Sequence, residues 1–172
     1  MPTDRAPRYD FRSVTERDLT LLRRWLEQPH VARWWGDPEK GIDEARQAMD
    51  EISVEPLIVE LDGRPIAYLQ SYDPHLEDGH RYQDQPFGTL GIDISIGDAE
   101  LTGKGHGAAI IRQFCAALFD EGAPRIVIDP HPDNARAIRA YEKAGFTPIG
   151  FRESIHGPAH MMALDAPEDD TE

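Results

Sequence analysis

The segment Leu101–Phe114, LTGKGHGAAIIRQF, constrains this chain more than any other. Glycines alternate at Gly103, Gly105 and Gly107, between a strand exit and an apolar helix-like run. With no side chains at those positions, backbone N–H groups are free to converge on an anion at the start of the following helix. Lys104 and His106 flank the turn. The pattern is neither G-x-x-x-x-G-K-[ST] nor G-x-G-x-x-G, the two common nucleotide loops. A second strand–helix unit follows at Ile128–Phe146, IDPHPDNARAIRAYEKAGF. It puts Asn134 at a helix start and Tyr141 seven residues on, two turns along the same face. A phosphate cradle followed by such a unit points to group transfer from a phosphate-bearing carrier.

The rest of the chain reads as alternating short elements. Tyr9–Ser13 alternates as a strand, and Thr15 opens a helix running to about Glu27 with Leu19, Leu22 and Leu26 as its apolar stripe. His30–Trp35 predicts a short helix, broken by Gly36-Asp37-Pro38, and Ile42–Ile52 predicts a third. Val54–Leu61 and Pro65–Ser71 predict a hairpin turning at Asp62-Gly63. Asp73–Phe87 is a long polar loop, a length usually tied to function or disorder. Gly88–Ile96 is a strand, Gly107–Glu121 a helix, and Arg125–Asp129 an apolar strand of the buried parallel kind. Asn134–Ala144 is a helix ended by Gly145. Thr147–Phe151 and His160–Leu164 form a last antiparallel pair around His156-Gly157-Pro158. The fold class expected is α/β, an α+β mixed sheet that is antiparallel at first, with a right-handed crossover making two central strands parallel. One domain over residues 1–172 is expected, with 1–8 and 166–172 as flexible tails.

Composition narrows the partners. The formal net charge of −14 disfavours nucleic acid and anionic membranes and favours cations, either as mere solubility or as a site for a polycationic substrate. No apolar run approaches the roughly 18 residues of a membrane span. The N-terminus MPTDRAPRYD lacks the apolar segment of a signal peptide, so a cytoplasmic protein is expected. The single cysteine, Cys115, lies mid-helix and reads as a packed thiol. His30, His75 and His160 lack the paired spacing of a zinc site, so no metal is expected.

Thr102-Gly103-Lys104-Gly105-His106-Gly107 resembles the acetyl-coenzyme A loop of the GNAT acetyltransferase superfamily, [Q/R]-x-x-G-x-[G/A], with Thr102 in place of the usual Gln or Arg. Asp129-Pro130 through Asn134, then Ala137–Phe146, resembles that family's second cofactor segment. HVARWWG at His30–Gly36, IAYLQSY at Ile66–Tyr72, Gly91-Ile92-Asp93 and Gly157-Pro158-Ala159 extend the likeness to the aminoglycoside 6′-N-acetyltransferases, over about Phe11 to Leu164. The resemblance implies a GNAT fold whose two central strands splay at the cofactor site. It implies acetyl-coenzyme A as co-substrate, held by Ile94, Ile96, Gly103, Lys104, Gly105, His106, Gly107, Asn134 and Lys143. It also implies a small cationic amine as acceptor, held by Trp35, Asp78, Asp93 and Asp129, and a monomer or weak homodimer. Asp93 and Tyr141 are the implied catalytic pair, base or ammonium anchor and proton donor to the leaving thiolate. His80, Arg81 and His156 depart from that subfamily's pattern, the first two replacing a pair of aromatics and the third an Asp. Arg81 beside an acceptor site repels a polycation.

The residues carry their own version of this chemistry. Acyl transfer from a thioester to an amine requires deprotonation of an ammonium, stabilisation of an oxyanion and a protonated leaving thiolate. Asp93 alternates with Ile92, Ile94 and Ile96 and so faces away from the isoleucines. An ordinary Asp, with a pKa near ~3.9, is too acidic to be a good base unless burial raises it or a water relays the proton. Other readings are a hydroxylysine-type acyltransferase of siderophore synthesis, a binding protein without turnover, and a protein N-terminal acetyltransferase. The first carries His at the position of Asp93; the last needs an open groove that the Asp73–Phe87 loop would cover.

Overall fold

The computed structural model describes residues 7–154 and 157–168. The expectations about His156 and most of the two tails lie outside the described residues. Seven strands form one mixed sheet in the order β1-β2-β3-β4-β5-β7-β6. They are β1 Tyr9–Ser13, β2 Val54–Leu61, β3 Arg64–Tyr72, β4 Leu90–Ile96, β5 Arg125–Ile128, β6 Thr147–Ser154 and β7 Gly157–Asp165. Only β4 and β5 run parallel, joined through α4, His106–Asp120; the other pairs are antiparallel. The hairpin turn falls at Asp62-Gly63, both with positive φ (51° and 81°), as a two-residue turn between twisted strands requires.

Helices cover both faces. On one face α4 and α5, Ala135–Lys143, pack on the sheet, with Ile110 and Ile111 of α4 in one core with Ile92, Ile126 and Met162, all essentially inaccessible to solvent. On the other, α1 Leu19–Leu26, α2 Pro29–Trp35 and α3 Pro38–Ala48 close over Ile58 and Tyr68. The alternation of β4 assigns its residues to these two faces: Ile92, Ile94 and Ile96 towards α4, Asp93 and Ser95 towards the α1–α3 side. Asp18, at the start of α1, accepts both Arg12 guanidinium nitrogens (2.8 and 2.9 Å), which anchors that helical layer to β1. Cys115 is buried among these apolar contacts, as expected for a packed thiol.

Three elements differ from expectation. The third helix starts four residues earlier, at Pro38, because Asp37 caps it by accepting from the Glu39 N–H and Pro38 fits its first turn. The terminal strands are longer than the sequence pattern suggests, and β7 inserts between β5 and β6. The segment 73–87 is folded down onto the sheet: a short 3-10 turn at Pro74–Leu76 precedes Tyr82, whose side chain is fully buried beside Tyr72, Val127 and Met161.

Candidate active site

The parallel pair β4–β5 is joined at only two positions, Leu90↔Ile126 and Gly91↔Val127. Beyond them β4 continues to Ile96 while β5 stops at Ile128, so the strands part. A cavity of about 720 Å³ lies against this opening. Its walls include Ile94, Ser95 and Ile96 from β4, the glycine turn, the start of α4, and one face of α5 with Asn134 and Tyr141. The turn is built for close approach. Gly103 (φ 72°) and Gly105 (φ 84°) hold left-handed conformations, and at Gly103, Gly105 and Gly107 a Cβ would project into open space. Gly105 caps α4 without a side chain, and the first helical hydrogen bond is from Ala109 N–H to Gly105 C=O. The N–H groups of His106, Gly107 and Ala108 precede it, where a helix leaves its donors without internal partners. That end of α4 fits a diphosphate.

Arg33, Arg136, Arg139 and Lys143 also line this cavity. Sequence reading named only Lys143. The signal was available: 136, 139 and 143 fall three and seven residues apart, which puts three cations on one helical face. In a chain of net charge −14 such clustering singles out an anion site. Asn134 caps α5 by accepting from the Ala137 N–H (3.2 Å) and still borders the cavity. His30 reaches from α2 to within 2.9 Å of the Ile96 carbonyl, holding the free end of β4. Lys104 is exposed and outside the lining, and the His106 ring is hydrogen-bonded to the Tyr9 hydroxyl (2.6 Å). Neither residue is part of that lining.

A second cavity, about 240 Å³, opens on the other face of β3 and β4. Trp25, Trp35 and Tyr68 form aromatic walls, and Glu44, Glu51 and Glu77 supply negative charge. Trp25 lies against Gly97, where any side chain would collide with the indole. Trp35 meets Tyr68 edge-on at 6.0 Å. Trp35 and Ser95 line both cavities, so the two spaces share a wall near the C-terminal end of β4. Asp78 is exposed and outside this lining, whereas its neighbour Glu77 is part of it.

Asp93 lines neither cavity; it lies two residues before Ser95 and across from Gln70, which lines the second cavity, in the β3–β4 register. Gln70 Nε2 donates to its carboxylate (2.9 Å), and the Tyr68 hydroxyl donates to Gln70 Oε1 (2.6 Å). Loss of hydration, reinforced by the negative charge of Asp129, pushes the Asp93 pKa up to about 7, against the opposing effects of Gln70 and Arg81. The condition for an Asp base is therefore met by burial. Burial also raises the Tyr141 phenol, with further upward pressure from Asp93 and Asp129, so it keeps its proton at neutral pH. Asp129, just past the end of β5, accepts on Oδ2 from both the Tyr82 hydroxyl (2.6 Å) and Arg81 Nη2 (3.0 Å). Among the described residues, no group of three or more His, Cys, Asp or Glu side chains is placed to hold a metal ion.

A splayed parallel pair with a glycine-capped helix at the split is the architecture on which comparison with known proteins bears. Residues 14–153 match the family described as acetyltransferase (GNAT) domain, and the chain belongs to it. It is 39% identical over 161 residues to the aminoglycoside N(6′)-acetyltransferase type 1 of Klebsiella pneumoniae, covering 88% of this chain and 80% of that one. A lysine N-acyltransferase of Mycolicibacterium paratuberculosis is 28% identical over 170 residues, covering 95% and 76%. The crystal structure of the aminoglycoside acetyltransferase AAC(6′)-Ib with coenzyme A and kanamycin superposes with a TM-score of 0.82 at 35% identity, covering 92% of this chain and 95% of that chain. These likenesses agree with the fold and family that the glycine turn and the Asn134–Phe146 segment implied.

Proposed function

We propose that the chain transfers the acetyl group of acetyl-coenzyme A to a primary amine of a small cationic acceptor, the 6′-amine of an aminoglycoside being the first choice. The observation that carries this is the wall that the two cavities share at Trp35 and Ser95, two residues along β4 from Asp93. The cationic, glycine-lined space suits a diphosphate and its pantetheine arm; the aromatic, acid-lined space suits an ammonium. The identity to the Klebsiella enzyme and the kanamycin complex of the structural relative support the acceptor class.

Coenzyme A supplies the activated acetyl thioester. Backbone N–H groups at Gly103–Ala108 hold its phosphates, with Arg136, Arg139 and Lys143 as counter-charges and Asn134 beside the arm. Asp93 receives the acceptor's ammonium and takes its proton, a task its raised pKa suits because an efficient base titrates near the working pH. As the deprotonated amine attacks the thioester carbonyl, a backbone N–H of β4 near Ile94 stabilises the negative charge on its oxygen, and Tyr141 gives its proton to the thiolate that leaves as the C–S bond breaks. Trp35 walls the acceptor, and Asp129, paired with Arg81, acts on it only through that ion pair.

Thiol release from acetyl-coenzyme A tests this reading, with kanamycin, N-hydroxylysine and a peptide N-terminus assayed side by side. Turnover with kanamycin above the other two is expected. Preference for N-hydroxylysine favours the lysine-type acyltransferase, and ligand-dependent thermal shifts without thiol release make the chain a binding protein.

A further inference from the structure

The carboxylates of Asp93 and Asp129 are not equally available. Asp129 is already in use: a cation of this chain, Arg81, sits 3.0 Å from it, and the Tyr82 hydroxyl donates to the same oxygen. Several contacts hold Arg81 there. Its guanidinium stacks 4.6 Å above the Tyr82 ring, and Tyr82 itself is fully buried. From β6, Arg152 approaches the same ring at 5.9 Å and pairs with Asp84, two residues beyond Tyr82. Gln85, one step further, accepts from Arg125 on β5. The segment 81–85 is thereby pinned to β5 and β6 at several points, and it carries Arg81 onto Asp129.

We propose that Arg81 is a specificity-determining residue: tethered to Asp129, it occupies a carboxylate that an acceptor's second ammonium could otherwise use, so this site gains less from each further positive charge on an amine than it would with Asp129 free. The inference rests on the acetyl-transfer reading above and refines its acceptor class. Arg81 places one positive charge beside two carboxylates, Asp93 and Asp129. The acceptor's reacting ammonium still has Asp93, with Glu44 and Glu77 along the aromatic wall. A second or third ammonium on the same molecule meets a filled ion pair and the outer charge of Arg81. Like charges brought together at a recognition surface disfavour the partner that carries them. Arg81 lines neither cavity; it pairs with Asp129 and lies four residues from Glu77, which lines the acceptor space.

Arg81→Gln, with Arg81→Lys as charge-retaining control, tests the proposal. Two acceptors share a primary 6-amine on a sugar ring: 6-amino-6-deoxyglucose, with one ammonium, and kanamycin, with several. The ratio of kcat/KM for kanamycin to that for the monoamine is expected to rise at least about tenfold in Arg81→Gln, mainly through KM, and to stay near wild type in Arg81→Lys. Calorimetric titration of kanamycin into the coenzyme A complex reads the same preference without turnover, and its Kd is expected to fall at least about tenfold in Arg81→Gln. Titration of coenzyme A itself checks that the fold and carrier site persist. An unchanged ratio and unchanged Kd, or tighter kanamycin binding in the wild type, overturns the proposal. Absence of thiol release with every amine counts against acetyl transfer alone, since the Kd comparison still decides the role of Arg81.

Discussion

Replacing Asp93 with Asn should stabilise the chain in a pH-dependent way while abolishing turnover. The folded carboxyl titrates near about 7, whereas its ordinary value is 3.8. Between those pH values the folded chain holds a proton that the unfolded chain has released, so this group's contribution falls as pH rises and levels off above about 7. At 1.36 kcal/mol per unit, the full interval amounts to about 4 kcal/mol, and the part between pH 5 and pH 8 to about 3 kcal/mol. Asn keeps the size of the side chain and a partner for Gln70 without a charge to bury. A chain of this length shifts by roughly 2–4 °C per kcal/mol, so even a third of the effect moves the melting temperature about 3 °C. The assay is thermal melting of both proteins from pH 5 to pH 8.5, read as the difference between them so that other titrating groups cancel. The variant is expected to gain on the wild type steadily as pH rises to about 7. Its thiol-release rate is expected to drop at least about 100-fold. A difference that is flat with pH, or a wild type more heat-stable than the variant at pH 8, refutes the argument that Asp93 holds its charge at a cost.

Other outcomes follow from the same geometry. Gly107→Leu, at a position with nothing within 4 Å of a Cβ, should leave the melting temperature within a few degrees and weaken coenzyme A at least about tenfold by calorimetry. Gly91→Ala would drive a methyl into the Tyr72 ring, and the overpacking should cost about 1–3 kcal/mol in denaturant unfolding. Glu77→Gln should raise the acceptor KM more than Asp78→Asn does, because only Glu77 borders the aromatic cavity; equal effects would remove that cavity from acceptor binding.

Local signals made most of the frame readable. Asp62-Gly63 fixed a hairpin through backbone geometry, and Ile92, Ile94 and Ile96 declared one face of β4 by alternation. The glycine turn announced the cradle because three bare positions before an apolar helix have few other uses. What stayed hidden depends on contacts distant in sequence. Tyr82 sits among HRYQDQ with no periodic neighbour, so nothing local marks it as a core residue; its burial comes from Val127 and Met161, and its hydroxyl is satisfied by Asp129. Arg81 could be read as a repelling charge, but its partner is 48 residues away in sequence. The early start of α3 was missed because Gly36-Asp37-Pro38 reads equally as a breaker and as a cap. Gly41 within that helix has a tertiary reason: a Cβ there would press on Leu26 of α1.

The parting of β4 from β5 also bears on how the chain keeps company with others. Strand rims with open peptide groups invite stray chains to pair with them, and they are the usual seed of fibrils. Here such a rim is turned inward, walled by α2, α4 and α5. The molecule thus keeps a ladder ready for a thin, amide-bearing arm without offering it to its neighbours.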